Sequence, residues 1–538
     1  MSGASALPLV SAALAEDGFE ASLLGRGVTY RGTVDVNGLA VQLRLEFRDL
    51  EFSEPAYAFI ENPCDLPRRV LPHLDEKNEL CVVDRNAFVA DRYAAAAQAR
   101  GLVCRAREII THGLTRHAVD DIANEFPQYW APAGAGIDFG DYEGPTQTGS
   151  NAGGYLLIQR SNGKTAATGW SLRTQTRLSF RDDQARPETF GELLTWAGSW
   201  DANLPDRILA ALGKLSANDP HCLIIAPNGL IVFWLQVSAR GREQVAALSR
   251  PAGWQRALHT PFAAALPIRR DRGFRADVDY ALGRNGGGMA PLSKRKIVLV
   301  GCGSIGGFLA RSLAQLGAGR DGGMLILIDD DSLAATNVGR HLLGMGDVGR
   351  SKVDACRDQI LRDLPGGKVL ARKFKVQSQR HLFTGADLVI DATGEQGVSE
   401  MLNDWMLEAR SKGTEFPDLL HVSIEGAGAA VQSFISSDAA FGCIRCLRPN
   451  HAERSRFSPL KDEMDVTVLG GCGEAAFTPY GPAAPMMAAA LAAQHATDWA
   501  NGQPRHLLRT GRLDWANTKE VKPVNPTKSD HCPACHPS

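Results

Sequence analysis

The run KIVLVGCGSIGGFLARSLAQL, residues 296–316, constrains this chain more than any other stretch. An apolar strand leads into Gly301-Cys302-Gly303-Ser304-Ile305-Gly306, and an amphipathic helix follows at once. Glycines at that spacing allow a tight turn and let phosphate oxygens approach backbone N–H groups at the positive end of a helix. In this strand–turn–helix setting Gly301, Gly303 and Gly306 read as a nucleotide-binding loop. The neighbouring runs GMLILIDDDSL, GADLVIDATGE and LLHVSIEGAGAAVQSFI are short buried strands separated by helical stretches. That alternation predicts a doubly wound, Rossmann-like α/β sheet.

Asp329, Asp330 and Asp331 end the next strand, where an acidic side chain accepts hydrogen bonds from ribose hydroxyls. To this point an NAD-dependent oxidoreductase fits equally well. The segment LIDDDSLAATNVGRHLLGMGDVGRSKVDA separates the readings, because Asn337, Arg340 and Lys352 follow closely on the acidic cluster. A dinucleotide site has little use for two further cations. Attack of a carboxylate on the α-phosphate of ATP builds negative charge that cations stabilise. The acidic strand end, Asn337, Arg340 and Gly349-x-x-Lys352 resemble the ThiF/MoeB superfamily of ubiquitin-activating-enzyme-like adenylyltransferases. The resemblance implies that Asp329 holds the ribose of ATP and that Asn337, Arg340 and Lys352 hold its triphosphate. His341 stands where that family has glutamine, and Gly394 stands where it has the Mg²⁺-binding aspartate. Magnesium is then expected on Asp391 or Glu395, since a carboxylate at a strand's carboxyl end faces the ligand crevice.

The cysteines divide by setting. Cys443-x-x-Cys446 and Cys532-x-x-Cys535 make two hooks with the ligand count of a closed four-thiolate Zn²⁺ site. Cys472, flanked by glycines before an alanine-rich helix, is expected to be accessible and prone to a lowered pKa. Its position is similar to that of the activating family's catalytic cysteine, which implies attack on an acyl adenylate to form a thioester. Cys302 sits within the phosphate loop as a small residue, Cys222 belongs to a core, and Cys104 and Cys356 fall on helical patterns as core residues.

The first 150 residues open with a helix-like segment to about Ala21 and continue as the alternating run GVTYRGTVDVNGLAVQLRLEFRD, an antiparallel meander turning at Asn37-Gly38. A proline-rich ordered loop then presents Cys81, and helices follow. The order of meander, Pro55, Pro72-His73, Leu80-Cys81 and helices resembles the ubiquitin-conjugating-enzyme fold, which implies that Cys81 receives the acyl group. PHLD replaces the usual His-Pro-Asn, leaving His73 or Asp75 to support amide formation.

At 538 residues the chain holds about three domains: a conjugating-enzyme-like domain over 1–150, a small mixed linker domain over 151–268, and an adenylation domain with a zinc site over 269–538. With 58 Lys+Arg against 60 Asp+Glu the charge is nearly balanced, which excludes a strongly basic nucleic-acid binder. The apolar stretch around Ala483–Ala493 falls short of the ~18 residues of a membrane span. The N-terminus has no basic residue before its apolar run, unlike a signal peptide. An odd number of cysteines, 11, suits a reducing, cytoplasmic setting.

Fusions in this order resemble the conjugating and activating enzyme of type II CBASS antiviral operons and of related bacterial ubiquitin-like conjugation operons. The resemblance implies adenylation of a partner protein's C-terminus, a thioester on Cys472, transfer to Cys81 and conjugation to a target amine. The partner would be a cyclic-nucleotide synthase or a ubiquitin-like protein. It also implies a homodimer, with Arg275 or Arg284 reaching a phosphate. A sulfur-carrier adenylyltransferase would share the adenylation site but has no need of Cys81. A scaffold without chemistry would keep the fold alone.

Overall fold

A computed structural model describes residues 6–24, 27–50, 52, 54–85, 87–132, 136–139, 152–158, 165–215, 220–247, 253–275, 278–285, 291–462, 478–502 and 506–535. They fall into two units, Met1–Asp277 and Val278–Ser538.

In the first unit the alternating run folds into the hairpin Gly27–Val36 and Leu39–Phe47. Its turn places Asn37 at φ 53° and Gly38 at φ 84°, the left-handed pair that matches the twist of a two-residue hairpin. The strands Glu20–Leu24, Gly27–Val36, Leu39–Phe47, Tyr57–Ile60 and Glu79–Leu80 pair antiparallel in chain order. The first helix, Leu7–Glu16, stops earlier than its apolar pattern suggests. Gly18 adopts φ 80°, the Gly18 N–H donates to Ala15 O at 3.0 Å and the Phe19 N–H donates to Leu14 O at 2.9 Å. That left-handed cap ends the helix and releases Glu20–Leu24 as an unforeseen fifth strand.

Helix Ala95–Gly113 buries Ala99, Leu102, Ala106 and Ile110 in the same core as Leu43, Leu45 and Ile60. Cys104, expected in the core, is exposed, because a period of 3.6 puts it opposite that stripe. Cys222 and Cys356 are buried.

The linker segment is a closed barrel of Gly136–Phe139, Ala152–Ile158, Thr165–Arg173, His221–Ala226, Gly229–Leu235 and Ile268–Arg275. Residues 269–275, expected at the start of the adenylation domain, are thus part of the barrel's closing strand, with Arg272 opposite Gly136. Packing also runs across residue 150: Ile122, Phe126 and Trp130 share one buried core with Phe180, Phe190 and Trp196. The Phe126 and Trp196 rings stack at 5.7 Å, and Trp130 Nε1 donates to Val232 O at 3.0 Å. Trp196 also lies 5.1 Å from Trp130, so it packs on two rings of the preceding segment, and Phe180 lies 5.4 Å from Phe126.

The second unit is a seven-stranded sheet in the order Val369–Arg372, Met324–Ile328, Lys296–Val300, Leu388–Asp391, Asp418–Glu425, Ala430–Ser436, Leu508–Arg512. The first five are parallel and the last two antiparallel to their neighbours. The connection reverses direction between Lys296–Val300 and Leu388–Asp391, so a crevice opens at their carboxyl ends, where such sheets bind ligands. Helices Ser304–Gln315 and Ala483–Ala500 pack together and share one core with Ile297 and Leu299. Among the described residues no helix is long and apolar enough to cross a membrane.

Replacing Trp196 by alanine is expected to cost about 3–5 kcal/mol. Hydrogen exchange on the whole protein should then lose protection both in residues 118–131 and in the barrel strands. Loss restricted to the barrel would mean that the two segments do not share a core.

Candidate active sites

The glycine loop is built by close packing. Gly301 sits at φ 87°, and a Cβ there would lie 2.9 Å from Ala392 backbone. A Cβ on Gly306 would lie 1.9 Å from Gly301 O, whereas one on Gly303 would meet nothing within 4 Å. Two glycines therefore close the turn, and the third leaves open space at the start of helix Ser304–Gln315, as an approaching phosphate requires.

The turn exposes the peptide groups of Cys302, and the protein claims both. Asp329 Oδ2 accepts from Cys302 N–H at 2.7 Å, and Oδ1 accepts from Asp331 N–H at 2.8 Å. Burial pushes the Asp329 carboxyl up despite these bonds. Buried His341 accepts the Leu343 N–H at Nδ1, 3.0 Å away, which fixes the proton on Nε2 for donation to Cys302 O at 2.8 Å. Burial lowers the His341 pKa, so the ring is neutral in this role. The exchange of glutamine for histidine at this position keeps a donor and an acceptor in one side chain.

Lys352, buried at the start of helix Lys352–Asp363, donates to Asp331 Oδ2 at 2.8 Å. Asn337 Oδ1 accepts from Ala334 N–H at 3.1 Å. Arg340 lies 4.7 Å from the centroid of the Tyr480 ring and donates to Thr478 O at 3.2 Å, while Tyr480 Oη and Ser304 Oγ are 2.9 Å apart. Tyr480 therefore links the helix start to Arg340, a role that no spacing in the sequence announces. Gly301, Gly303, Gly306, Asp329, Asn337, Arg340 and Lys352 all belong to this end of the unit. Arg284 is exposed on helix Val278–Asn285, and the side chain of Arg275 lies outside the described residues, as does Cys472.

Asp391 is buried at the end of its strand and is fully engaged. Oδ1 accepts from Thr393 N–H at 3.1 Å and from Thr393 Oγ1 at 2.7 Å; Oδ2 accepts from Ser399 Oγ at 2.5 Å and from His421 Nδ1 at 2.9 Å. Burial alone would raise its pKa; His421, with Ser399 and Thr393, outweighs burial and holds it below the usual range. A carboxylate offers about four acceptor sites, so magnesium on Asp391 requires one of these donors to leave. Glu395 is exposed. Beside this network lies a cavity of about 280 Å³ lined by Gly394, Ser399, Glu400, His421, Glu425 and Arg448.

The two cysteine hooks meet. Sγ–Sγ distances are 3.9 Å for Cys443 and Cys446, 3.8 Å for Cys443 and Cys532, and 3.5 Å for Cys535 with both Cys443 and Cys446. Four thiolates about 2.3 Å from a tetrahedral zinc lie about 3.8 Å from one another. The donor set fits that ion, and Ser529 N–H also points at Cys446 Sγ, 3.5 Å away.

In the first unit Cys81 is exposed just after the edge strand Glu79–Leu80. Its N–H donates to His73 O at 2.7 Å, and His73 holds φ 62°. The His73 N–H donates to Tyr129 Oη at 2.9 Å, and Tyr129 Oη donates to Glu125 Oε2 at 3.2 Å. Asp75 Oδ1 accepts from the N–H groups of Lys77 and Glu79, both at 2.8 Å, so this side chain shapes the turn. Burial, then Glu125 and Glu79, push the Cys81 thiol up, against the pull of Arg85. Tyr129 and Glu125 were not legible as parts of this site because they come from a distant helical segment.

Comparison with known proteins matches a family model to each end of the chain. Residues 6–135 match the prokaryotic E2 family B, and residues 280–534 match the ThiF family. An "ATP-dependent ubiquitin transferase-like protein Cap2" of Pseudomonas aeruginosa is 28% identical over 90% of this chain and 90% of its own length. A protein of the same description from Escherichia coli is 25% identical over 92% of this chain and 91% of its own. The chain is a fused E2-like and ThiF-type transferase. Its ThiF-type unit makes this fusion enzyme an ATP-dependent adenylyltransferase, and the E2-like domain extends its chemistry to ubiquitin-like conjugation.

Two outcomes follow from the fusion enzyme's geometry. His341→Ala strands the Cys302 carbonyl and the Leu343 N–H, at about 1–3 kcal/mol for each orphaned group. Calorimetric titration with ATP should show weakened binding, restored by His341→Gln; wild-type affinity in the alanine variant would remove His341 from the loop's support. Alkylation of Cys81 by iodoacetamide, followed by mass spectrometry, should have its midpoint above that of a free thiol at about pH 8.5. Because the pKa is raised, reactivity is lost first as pH falls, and Glu125→Gln should move the midpoint down. An unmoved midpoint would show that Glu125 does not act on the thiol.

Proposed function

We propose that the enzyme activates the C-terminal carboxylate of a partner protein and conjugates it to a target amine through two thioesters. The carboxylate attacks the α-phosphate of ATP and pyrophosphate leaves. The Cys472 thiolate attacks the acyl adenylate, AMP leaves, and a thioester forms. The Cys81 thiolate takes the acyl group and frees Cys472; an amine then attacks, forming the C–N bond and releasing the Cys81 thiolate, while the amine's proton passes to solvent.

The observation that carries this reading is the presence in one chain of a nucleotide cradle and of a separate exposed cysteine on an ordered loop. A sulfur-carrier adenylyltransferase would leave Cys81 and its loop unused. Asp329 would hold the ribose, and Asn337, Arg340 and Lys352 the phosphates. The return of the chain to Arg340 and Ser304 at Thr478 and Tyr480, just downstream of Cys472, supports the role of that cysteine. The cavity beside His421 would receive the partner's C-terminal tail.

Mg²⁺ would bind at Glu395, or at Asp391 after one of its donors leaves, and would neutralise phosphate charge. Zn²⁺ at Cys443, Cys446, Cys532 and Cys535 would tie the C-terminal hook to the sheet unit. We further propose a homodimer in which Arg275 or Arg284 reaches a phosphate, a cytoplasmic setting, and a cyclic-nucleotide synthase of a CBASS antiviral system as the partner whose C-terminus is activated. The names of the full-length relatives support the ubiquitin-transferase-like part of this reading.

Lys352→Ala should abolish ATP–pyrophosphate exchange. Cys472→Ala should retain exchange and form no thioester, and Cys81→Ala should stop at the Cys472 thioester without amide product. Mass spectrometry of non-reduced protein, co-expressed with neighbouring genes, reads each state. Finished conjugate from Cys81→Ala would refute the second transfer.

A further inference from the structure

The loop that presents Cys81 is held from outside the E2-like fold. His73, from whose carbonyl the Cys81 amide hangs, sits in the left-handed region at φ 62°. For a residue with a Cβ this costs about 1–3 kcal/mol and persists only where the surroundings impose it. The first constraint is Tyr129 Oη on the His73 N–H. Beyond it lies a pair of arginines from the barrel segment. Arg186, just ahead of helix Phe190–Trp200, donates from Nε to Tyr129 O at 2.7 Å and from Nη2 to Leu74 O at 3.4 Å. Arg270, on the barrel's closing strand, donates from Nη2 to Glu76 Oε1 at 2.6 Å, and Arg186 Nε lies 3.7 Å from the same oxygen. The two guanidinium side chains are only 17% and 12% exposed.

Such a cluster is costly. The two cations give up most of their water while Glu76 keeps 24% of its side-chain surface exposed, so these pairs are weak evidence for stability. The aromatic core around Trp196 already joins the two segments without it. The partners of the arginines are also specific: Leu74, Glu76 and Tyr129 lie either within the Cys81 loop or directly on it.

We propose that the barrel segment is part of the transfer site, with Arg186 and Arg270 as positioning residues that clamp the loop 73–81 and hold Cys81 where its acyl group meets the acceptor amine. This rests on Cys81 being the final acyl carrier. The arginines touch neither the acyl group nor the amine; they act through Tyr129, Leu74 and Glu76. In that step the amine nitrogen bonds to the thioester carbon, the C–S bond breaks, the electron pair leaves with Cys81 Sγ, and the amine's proton goes to solvent.

The test uses the full chain in wild-type, Arg186→Ala, Glu76→Gln, Arg270→Ala and Arg270→Lys forms. Amide exchange at His73 and Cys81 should accelerate about tenfold in Arg186→Ala, the factor for loss of one buried hydrogen bond. Discharge of the Cys81 thioester to free lysine should fall by a similar factor, while ATP–pyrophosphate exchange and loading of Cys472 stay unchanged. Arg270→Lys should restore discharge relative to Arg270→Ala, because an ammonium still pairs with Glu76. Glu76→Gln, which preserves volume, guards against simple misfolding and should show the same loss. Unchanged exchange and discharge in both Arg186→Ala and Glu76→Gln would overturn the clamp. Absence of a thiol-sensitive adduct on wild-type Cys81 would instead overturn the acyl-carrier reading and the transfer role with it, while the exchange data would still report whether the loop is held.

Discussion

The nucleotide end of the second unit depends on one steric fact: there is no room for a side chain between Gly306 and the carbonyl of Gly301, where a Cβ would approach to 1.9 Å. Only glycine there lets helix Ser304–Gln315 start so close to strand Lys296–Val300. The tight turn has a consequence, since it leaves both peptide groups of Cys302 to be paired. Asp329 takes the N–H and His341 gives to the carbonyl. The second oxygen of Asp329 then orients the Asp331 amide, and the Asp331 carboxylate meets Lys352. The lysine that would reach a phosphate is therefore placed by a chain of contacts that begins with glycine packing.

This chain also explains what could be read from the sequence and what could not. The glycine spacing, the acidic strand end, Asn337, Arg340 and Lys352 were legible because each belongs to a short local pattern whose register along strand and helix is fixed. The cysteine hooks were legible because a shared ligand count outweighs a long separation. The function of His341 was not legible, since its partners are backbone groups that converge only in the folded state. Tyr480 and Tyr129 are similar cases, as each binds a residue far away in sequence. Local pattern failed in two further places for physical reasons. The apolar run beyond Leu14 suggested a longer helix, but Gly18 ends it; and helical spacing suggested a core role for Cys104, although the buried stripe runs along the opposite side of that helix. The barrel strand Ile268–Arg275 pairs with strands on both sides, a long-range event that its arginine-rich sequence does not signal.

Buried charge is treated in three ways in this molecule. Lys352 keeps one exposed partner, Asp331, so an incoming phosphate can compete for it without leaving a buried anion behind. Asp391 is saturated by Thr393, Ser399 and His421, which suits a group that stiffens the end of its strand beside the cavity. Glu76 gathers two arginines at a junction between segments. The first arrangement is open to exchange of partners and the second resists it, because removing a partner from a buried ionised group costs several times what an exposed pair is worth; the Glu76 cluster, with 24% of the Glu76 side chain exposed, lies between them. Lys352, with its exposed partner, is thus the charge placed to exchange that partner for a phosphate in the proposed reaction.

The field around Cys81 makes fixed geometry more valuable still. Glu125, Glu79 and Asp84 raise the thiol's pKa with burial, and only Arg85 opposes them. A thiol of raised pKa is a slower leaving group in exchange and acyl transfer, so in the proposed relay an acyl group on Cys81 would be kept from casual nucleophiles. The same carboxylates favour a cationic amine nearby. In the proposed transfer, electrostatics would therefore gather the acceptor but slow release of the sulfur, and the rate would have to come from alignment. Well-oriented reactants gain as much as about 7–11 kcal/mol over free encounter, so alignment can offset a slower leaving group. A loop held at His73 by Tyr129, and through it by Arg186, supplies alignment at the one point where the local charges oppose the chemistry.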